Sequence, residues 1–257
     1  MISCNLKNGL GNQMFQIAAA YSLALENNDS CAFDFNKCST LEQGYASNRY
    51  KDNLFSKINT TNNFLSAKIY FEKKFSYDKI PYSNNLLIDG FFQSENYFAN
   101  NKKEIIDLFT IDEDYINIIK ELLPIFDKPD KPITSVSIRR GDYLTKSKYH
   151  NILPFDYYNQ AIKYVGDSYF VFISDDMNWV KNNFNDKNYY FPLFKNELLD
   201  FILITMCDNN IIANSTFSWW GSYLNKKNPL VIAPKNWFGP DGPKDTQDLY
   251  LKNWLVI

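Results

Sequence analysis

Ile133-Thr134-Ser135-Val136-Ser137-Ile138-Arg139-Arg140-Gly141-Asp142 is the stretch on which the fold reading turns. Ile133–Ile138 reads as a strand, and it ends in two arginines and a Gly-Asp turn. Downstream the sequence alternates in the same manner: helix Asp156–Tyr164, strand Tyr169–Ile173, helices Met177–Phe184 and Glu197–Cys207, strand Asn210–Ala213, helix Ser218–Leu224 and strand Leu230–Ala233. Strands alternating with helices imply parallel β/α layers, which bind ligands beyond the carboxyl ends of their strands. Arg139 and Arg140 should therefore stand at a ligand-binding edge.

Upstream, Asp127-Lys128-Pro129-Asp130-Lys131 is polar and carries proline, so the chain divides there into domains 1–130 and 131–257. The first half opens with a strand at Ile2–Leu6, a glycine-containing turn at Lys7–Gly11 and a helix over Asn12–Asn27. Ala32–Phe35 and Leu86–Phe92 read as further strands, and Asn101–Phe109 and Asp112–Phe126 as helices. Residues from Asn36 to Asn85 are rich in Asn and Lys and have weak periodicity, which suggests loops and irregular helices.

The bulk numbers narrow the function. A formal charge of −2 over 257 residues provides no basic field for a nucleic-acid backbone. Hydrophobic residues at 45% and aromatics at 17% rule out disorder, and the aromatics suit both a core and carbohydrate recognition. Cys4, Cys31, Cys38 and Cys207 form no CxxC pair, and His150 is the single histidine, so a structural zinc site is not expected. The Cys31/Cys38 spacing permits a disulfide, but reduced, partly buried thiols are the plainer reading. Met14–Leu25 is apolar but contains Gln16, Tyr21 and Ser22 and lacks a cleavage pattern, and no run reaches the roughly 20 apolar residues of a membrane span. The chain is read as cytoplasmic, without a transmembrane segment.

Only three arginines occur, Arg49, Arg139 and Arg140, in a chain that otherwise uses lysine. A planar, permanently charged, bidentate donor suits a diphosphate, although an Arg–carboxylate bridge supporting the turn explains the pair as well. Because adjacent strand side chains point opposite ways, one guanidinium is expected on phosphate and the other on a neighbouring carboxylate. Gly9-Leu10-Gly11-Asn12-Gln13 allows close approach to an anion at a helix start, or is a plain turn with Asn12 as cap. Asn214-Ser215-Thr216-Phe217-Ser218-Trp219-Trp220-Gly221 offers hydroxyls and N–H groups to phosphate, or forms a cap cluster with both tryptophans in the core. Ser174-Asp175-Asp176 could meet a guanine edge or a ribose, or cap the next helix. Asp112-Glu113-Asp114 is better explained as first-turn helix acids than as a metal-binding DxD. His150, in a polar loop, reads as exposed and non-catalytic.

These segments, together with Gly90-Phe91-Phe92-Gln93-Ser94-Glu95-Asn96-Tyr97-Phe98 and Val231-Ile232-Ala233-Pro234-Lys235-Asn236-Trp237-Phe238, resemble in order the family 11 glycosyltransferases, the α-1,2-fucosyltransferases. The resemblance implies an α/β, GT-B-like fold of two Rossmann-like β/α domains facing a central cleft. It implies an inverting, metal-independent transfer of L-fucose from GDP-β-L-fucose to the 2-hydroxyl of a galactose-type acceptor. GDP-L-fucose is then the donor substrate and no cofactor is required. The acceptor is a galactose-containing glycan, free or lipid-linked. By the same resemblance, Arg139 or Arg140 stabilises the departing diphosphate, with Asp142 and Asn12 among the catalytic residues. Donor contacts fall to Gly9, Gly11, Asn12, Gln13, Ser137, Ser174, Asp175, Asn214, Ser215, Thr216 and Ser218. The family usually places His two positions before the first Arg, where this chain has Ser137: if that His is a donor contact the serine hydroxyl or the backbone substitutes, and if it is a base this chain has lost it. Another GDP-sugar transferase, or a non-catalytic glycan- or GDP-binding protein, is the alternative.

Overall fold

The computed structural model describes residues 1–37, 45–62, 64, 68–109 and 111–257. They form two compact units, Met1–Asp112 with Asp245–Leu251, and Glu113–Lys244 with Lys252–Ile257. The division falls at 112/113, ahead of the proline-bearing segment expected to be the linker. The helix after it, with its buried Ile119, therefore belongs to the second unit.

Unit 1 is built on three parallel strands, β1 (Ile2–Cys4), β2 (Lys68–Phe71) and β3 (Leu86–Asp89), in the order β1-β3-β2. Helix α1 (Leu10–Glu26) packs on β1, and nearly every side chain of its first four turns is buried. A short helix, α2, spans Lys102–Leu108. Ala32–Phe35 does not become a strand; Cys31 and Phe33 make only single parallel bridges to Ile2 and Thr60. In the Asn- and Lys-rich region the described residues hold a short 3-10 helix at Ser47–Tyr50 and strand β2. Cys38 lies outside the described residues, while Cys4, Cys31 and Cys207 are buried thiols.

Unit 2 begins with α3 (Glu113–Leu122), whose first turn carries Glu113 and Asp114 as helix acids. Six parallel strands follow: β4 (Ile133–Ile138), β5 (Tyr169–Ser174), β6 (Tyr189–Tyr190), β7 (Asn209–Ile211), β8 (Leu230–Ala233) and β9 (Leu255–Val256). Their order is β6-β5-β4-β7-β8-β9. The chain moves outward from β4 in one direction and then restarts on its other side with β7. This is the doubly wound order, whose switch point lies between β4 and β7. The connecting helices are α4 (Phe155–Val165), α5 (Met177–Asn183), α6 (Glu197–Met206) and α7 (Thr216–Tyr223).

All six residues of β4 are buried, as expected of a central parallel strand. Val136, Ile138, Phe172, Ile211 and Tyr158 lie in one apolar cluster of this unit. Two polar residues of β4 are paired: the Thr134 and Ser168 hydroxyls meet at 2.7 Å, and the Ser135 hydroxyl lies 2.8 Å from the Asn210 side-chain amide. Helices α6 and α7 pack closely because Gly221 carries no Cβ; one there would lie 2.8 Å from the Ile204 side chain.

Asp200, in the first turn of α6, is pushed up to about 6, first by burial and then by Glu197. A carboxyl raised in the folded state favours folding most when protonated, so its contribution is lost as pH rises through about 6. Asp200→Asn should therefore stabilise the protein at pH 7.5 by about 1 kcal/mol, discounted for residual solvent screening. That advantage should shrink toward zero near pH 4. Urea melts of both proteins at the two pH values measure this, and an equal gain at both would contradict it.

Candidate active site

Both arginines lie beyond the carboxyl end of β4, beside the switch point. The turn is held by Asp175, which follows β5. One Asp175 oxygen lies 2.8 Å from Arg139 Nη1, and the other accepts the Arg140 backbone N–H at 2.8 Å. Asp142 takes Arg139 Nη2 at 2.6 Å. Gly141 is required by this closeness, since a Cβ there would fall 2.5 Å from Asp175 Oδ2. Arg140 donates from Nε to Asp176 at 3.1 Å and lies 4.2 Å from the centre of the Trp179 ring. Asp176 also caps α5, accepting the Trp179 N–H at 3.1 Å. The Ser174 hydroxyl accepts the Asp176 N–H at 3.0 Å.

Both guanidiniums rest on carboxylates, not one of the two as expected, because both residues lie past the strand, where the alternation of side chains no longer applies. Each guanidinium still has unused N–H groups: Arg139 bonds carboxylates through two nitrogens, Arg140 through Nε alone. Both are half-buried. For Arg139 burial opposes the charge, but Asp175 foremost, with Asp142, pushes its pKa up. Such a site holds fixed cations at a strand end, where an anionic ligand would be matched by preorganised donors.

Across the switch point, Ser215 caps α7, accepting the Phe217 N–H at 3.3 Å. Ser215 and Thr216 are half-buried, leaving both hydroxyls near the helix start. Ser218 is buried, and its hydroxyl donates to the carbonyls of Ala213 and Ser215. Asn214 is buried too; its amide clamps the carbonyls of Asn151 at 2.8 Å and Trp237 at 2.7 Å. Ser137 is buried on β4 with no hydrogen-bond partner for its hydroxyl among the described residues. Trp219 and Trp220 are fully buried in the core.

His150 is not exposed, contrary to the sequence expectation. Its ring stacks on Tyr143 at 4.2 Å and 6°, and its backbone bridges to Phe238. Burial pushes its pKa down, with Asp142 opposing. Tyr143 links the two sides of the switch point: its hydroxyl donates to the Asn214 carbonyl at 2.9 Å, and its ring centre lies 5.4 Å from the Arg139 guanidinium carbon. Tyr143 and Trp179 are supporting residues that sequence reasoning missed. The aromatic immediately after Gly141-Asp142 was the available signal for the first; nothing local marks the second.

In unit 1 the Gly9–Gln13 turn is built differently from the sequence expectation. The cap of α1 is Gly9 at φ −70°, with Gly11 and Asn12 already inside the helix. The left-handed residue is Asn8, at φ 64°. Asn12 is therefore no cap; it is buried and its Oδ1 accepts from Gln93 Nε2 at 2.8 Å. Gln13 braces the loop, donating to the carbonyls of Asn8 and Tyr45 and accepting from the Ser47 hydroxyl. Gln16 ties Lys7 to the Gly90 carbonyl.

A doubly wound sheet with paired arginines at its switch point, preceded in the chain by a second parallel β/α unit, defines an α/β protein of the GT-B-like glycosyltransferase type. The backbone is similar to fucosyltransferase NodZ from Bradyrhizobium, with a TM-score of 0.54 at 14% identity, covering 89% of this chain and 96% of that one. The match is to the fold. The chain belongs to glycosyl transferase family 11, whose model matches residues 1–257. It is 34% identical to the O-antigen biosynthesis glycosyltransferase WbnK of Escherichia coli, over 98% of this chain and 99% of that protein. It is 32% identical to an alpha-1,2-colitosyltransferase of Escherichia coli, over 93% and 92%. Rabbit (Oryctolagus cuniculus) galactoside alpha-(1,2)-fucosyltransferase 2 shares 24% identity over 100% of this chain and 77% of its own length. No helix among the described residues is long and apolar enough to cross a membrane.

Proposed function

We propose that this family 11 glycosyltransferase moves L-fucose from GDP-β-L-fucose to the 2-hydroxyl of a galactose-type acceptor, with inversion and without a metal ion. The observation that carries the reading is the Arg139-Arg140 turn, locked by Asp175 at the switch point and linked through Tyr143 to Asn214, just ahead of the helix that Ser215 caps. As the glycosidic bond breaks, negative charge grows on the diphosphate, and fixed guanidinium donors stabilise that charge more than the ground state. Direct attack by the acceptor hydroxyl turns the β-linked donor into an α-linked product. Asp142 serves in this reading to aim Arg139, whose Nη2 it holds at 2.6 Å. A donor phosphate oxygen takes the acceptor proton late. In this reading Asn12, braced by Gln93 in unit 1, keeps the donor-contact role that the resemblance gives it.

A second reading, transfer from another GDP-sugar such as GDP-colitose, draws on the likeness to the colitosyltransferase. Both readings expect GDP to raise the melting temperature, by the equivalent of about 2.7 kcal/mol at 100 times its dissociation constant. GDP-fucose, GDP-colitose and GDP-L-galactose should then be assayed for GDP release with a β-galactoside acceptor, and the product linkage read by NMR. An α-1,2-fucosyl product supports the first reading and turnover with GDP-colitose alone the second. No melting shift and no turnover would overturn both.

A further inference from the structure

Unit 1 contains a cavity of about 460 Å³ along the flank of α1 from Ala19 to Asn27. The Gly9–Gln13 turn occupies the opposite end of the same helix. At 1.5 Å per residue the cavity lies about 9 to 21 Å along the axis from Gln13. Its size is that of a small-molecule site.

The walls are fixed before any ligand arrives. Tyr77 and Tyr97 meet edge to face at 4.9 Å. Asp248 accepts the Tyr77 backbone N–H at 2.9 Å, and the Tyr97 hydroxyl accepts the Asp78 N–H at 3.2 Å. Asn100 donates to Glu26 at 3.0 Å. By contrast, the Tyr77 hydroxyl, the Asn96 side-chain amide and the Lys79 ammonium make no hydrogen bond among the described residues.

That lining selects its ligand. Glu26 and Lys79 carry opposite charges, so a phosphate or carboxylate gains little net attraction. Amides and a phenol would be left unpaired by a hydrocarbon ligand, at a cost in free energy. A neutral saccharide presents C–H faces to tyrosine rings and hydroxyls to amides and the carboxylate, and so meets both requirements. We infer that this cavity is a second saccharide site, which holds a neutral stretch of glycan away from the sugar that is modified. The inference rests on the reading that the acceptor is a glycan.

The test uses the full chain with ¹³C-labelled tyrosine rings, titrated without donor with lactose and with a galactose-terminated neutral tetrasaccharide. The tetrasaccharide should shift the Tyr77 and Tyr97 ring signals, and should still do so in Asn12→Ala. Asn96→Ala, an exposed change, should weaken its binding about five- to tenfold, a lost hydrogen bond's worth. Tyr77→Phe, which keeps the ring, should weaken it similarly, while transfer to lactose stays at the wild-type rate in both variants. Unmoved ring signals at about 20 mM tetrasaccharide, well above a millimolar dissociation constant, would overturn the second site. Undiminished binding by Asn96→Ala would do the same. Lactose transfer at the normal rate beside either result would leave the proposed transferase activity standing. Ring shifts without any transfer would instead sink that activity and keep the site.

Discussion

Arg139→Ala and Arg140→Ala should each lower turnover about 100- to 1000-fold, the usual loss when a fixed donor to a developing oxyanion is removed. The double variant should be scarcely worse than the weaker single. Asp175 bonds the Arg139 side chain with one oxygen and the Arg140 backbone with the other, so loss of the Arg139 side chain also loosens the turn that aims Arg140. Groups that act as a unit give strongly non-additive losses. Arg139→Lys should recover little, because an ammonium cannot bridge Asp142 and Asp175 while also presenting a flat fork to a ligand. Initial rates of GDP release at saturating acceptor, with circular dichroism to confirm folding, measure this. Wild-type turnover in either single variant would remove the arginine pair from the mechanism, and additive losses would refute the shared support.

Trp219→Ala should cost about 3–5 kcal/mol, the range for emptying a buried aromatic site. Trp219 is fully buried, stacks on Tyr223 at 4.9 Å and lies 5.5 Å from Trp254 and 5.2 Å from Trp220. It thus joins α7 to the segment leading into β9. The same helix presents Ser215 and Thr216, so a loosened α7 should also weaken donor binding. Urea unfolding followed by tryptophan fluorescence should show an early transition in the variant, and GDP should protect it less. A midpoint equal to that of the wild type would show that the neighbouring rings close the cavity without cost.

The sequence expressed some of this well. Ile133–Ile138 and Leu230–Ala233 were legible to the residue because a central parallel strand is apolar along its length and bounded by polar turns. Strands β6 and β9 have two residues each, too few to carry a period. In β2 the pattern is inverted: only Tyr70 is buried, while Ile69 and Phe71 are exposed. The arginine turn was placed at the right end of the right strand, but the partners of the arginines were not, because Asp175 and Asp176 approach from the neighbouring strand 36 residues on. His150 was misread for the same reason. It lies in a mostly polar stretch, and its burial comes from Tyr143 and Tyr149 nearby and from the bridge to Phe238, a partner that no local window contains. Ser218 and Asn214 sit in a motif that suits phosphate, yet their side chains hold backbone. A hydroxyl at a helix start can serve either purpose, and only burial separates them.

The path of residues 245–257 has a bearing on the order of folding. Residues 245–251 return to unit 1, where Asp248 receives the Tyr77 amide, and residues 252–257 then supply β9 to unit 2. Domains emerging from a ribosome generally fold in order, the N-terminal one first. Here that order is not enough: unit 1 lacks a hydrogen-bond acceptor, and unit 2 an edge strand, until residues 245–257 have emerged. Both units are therefore completed together, once residues 245–257 are in place.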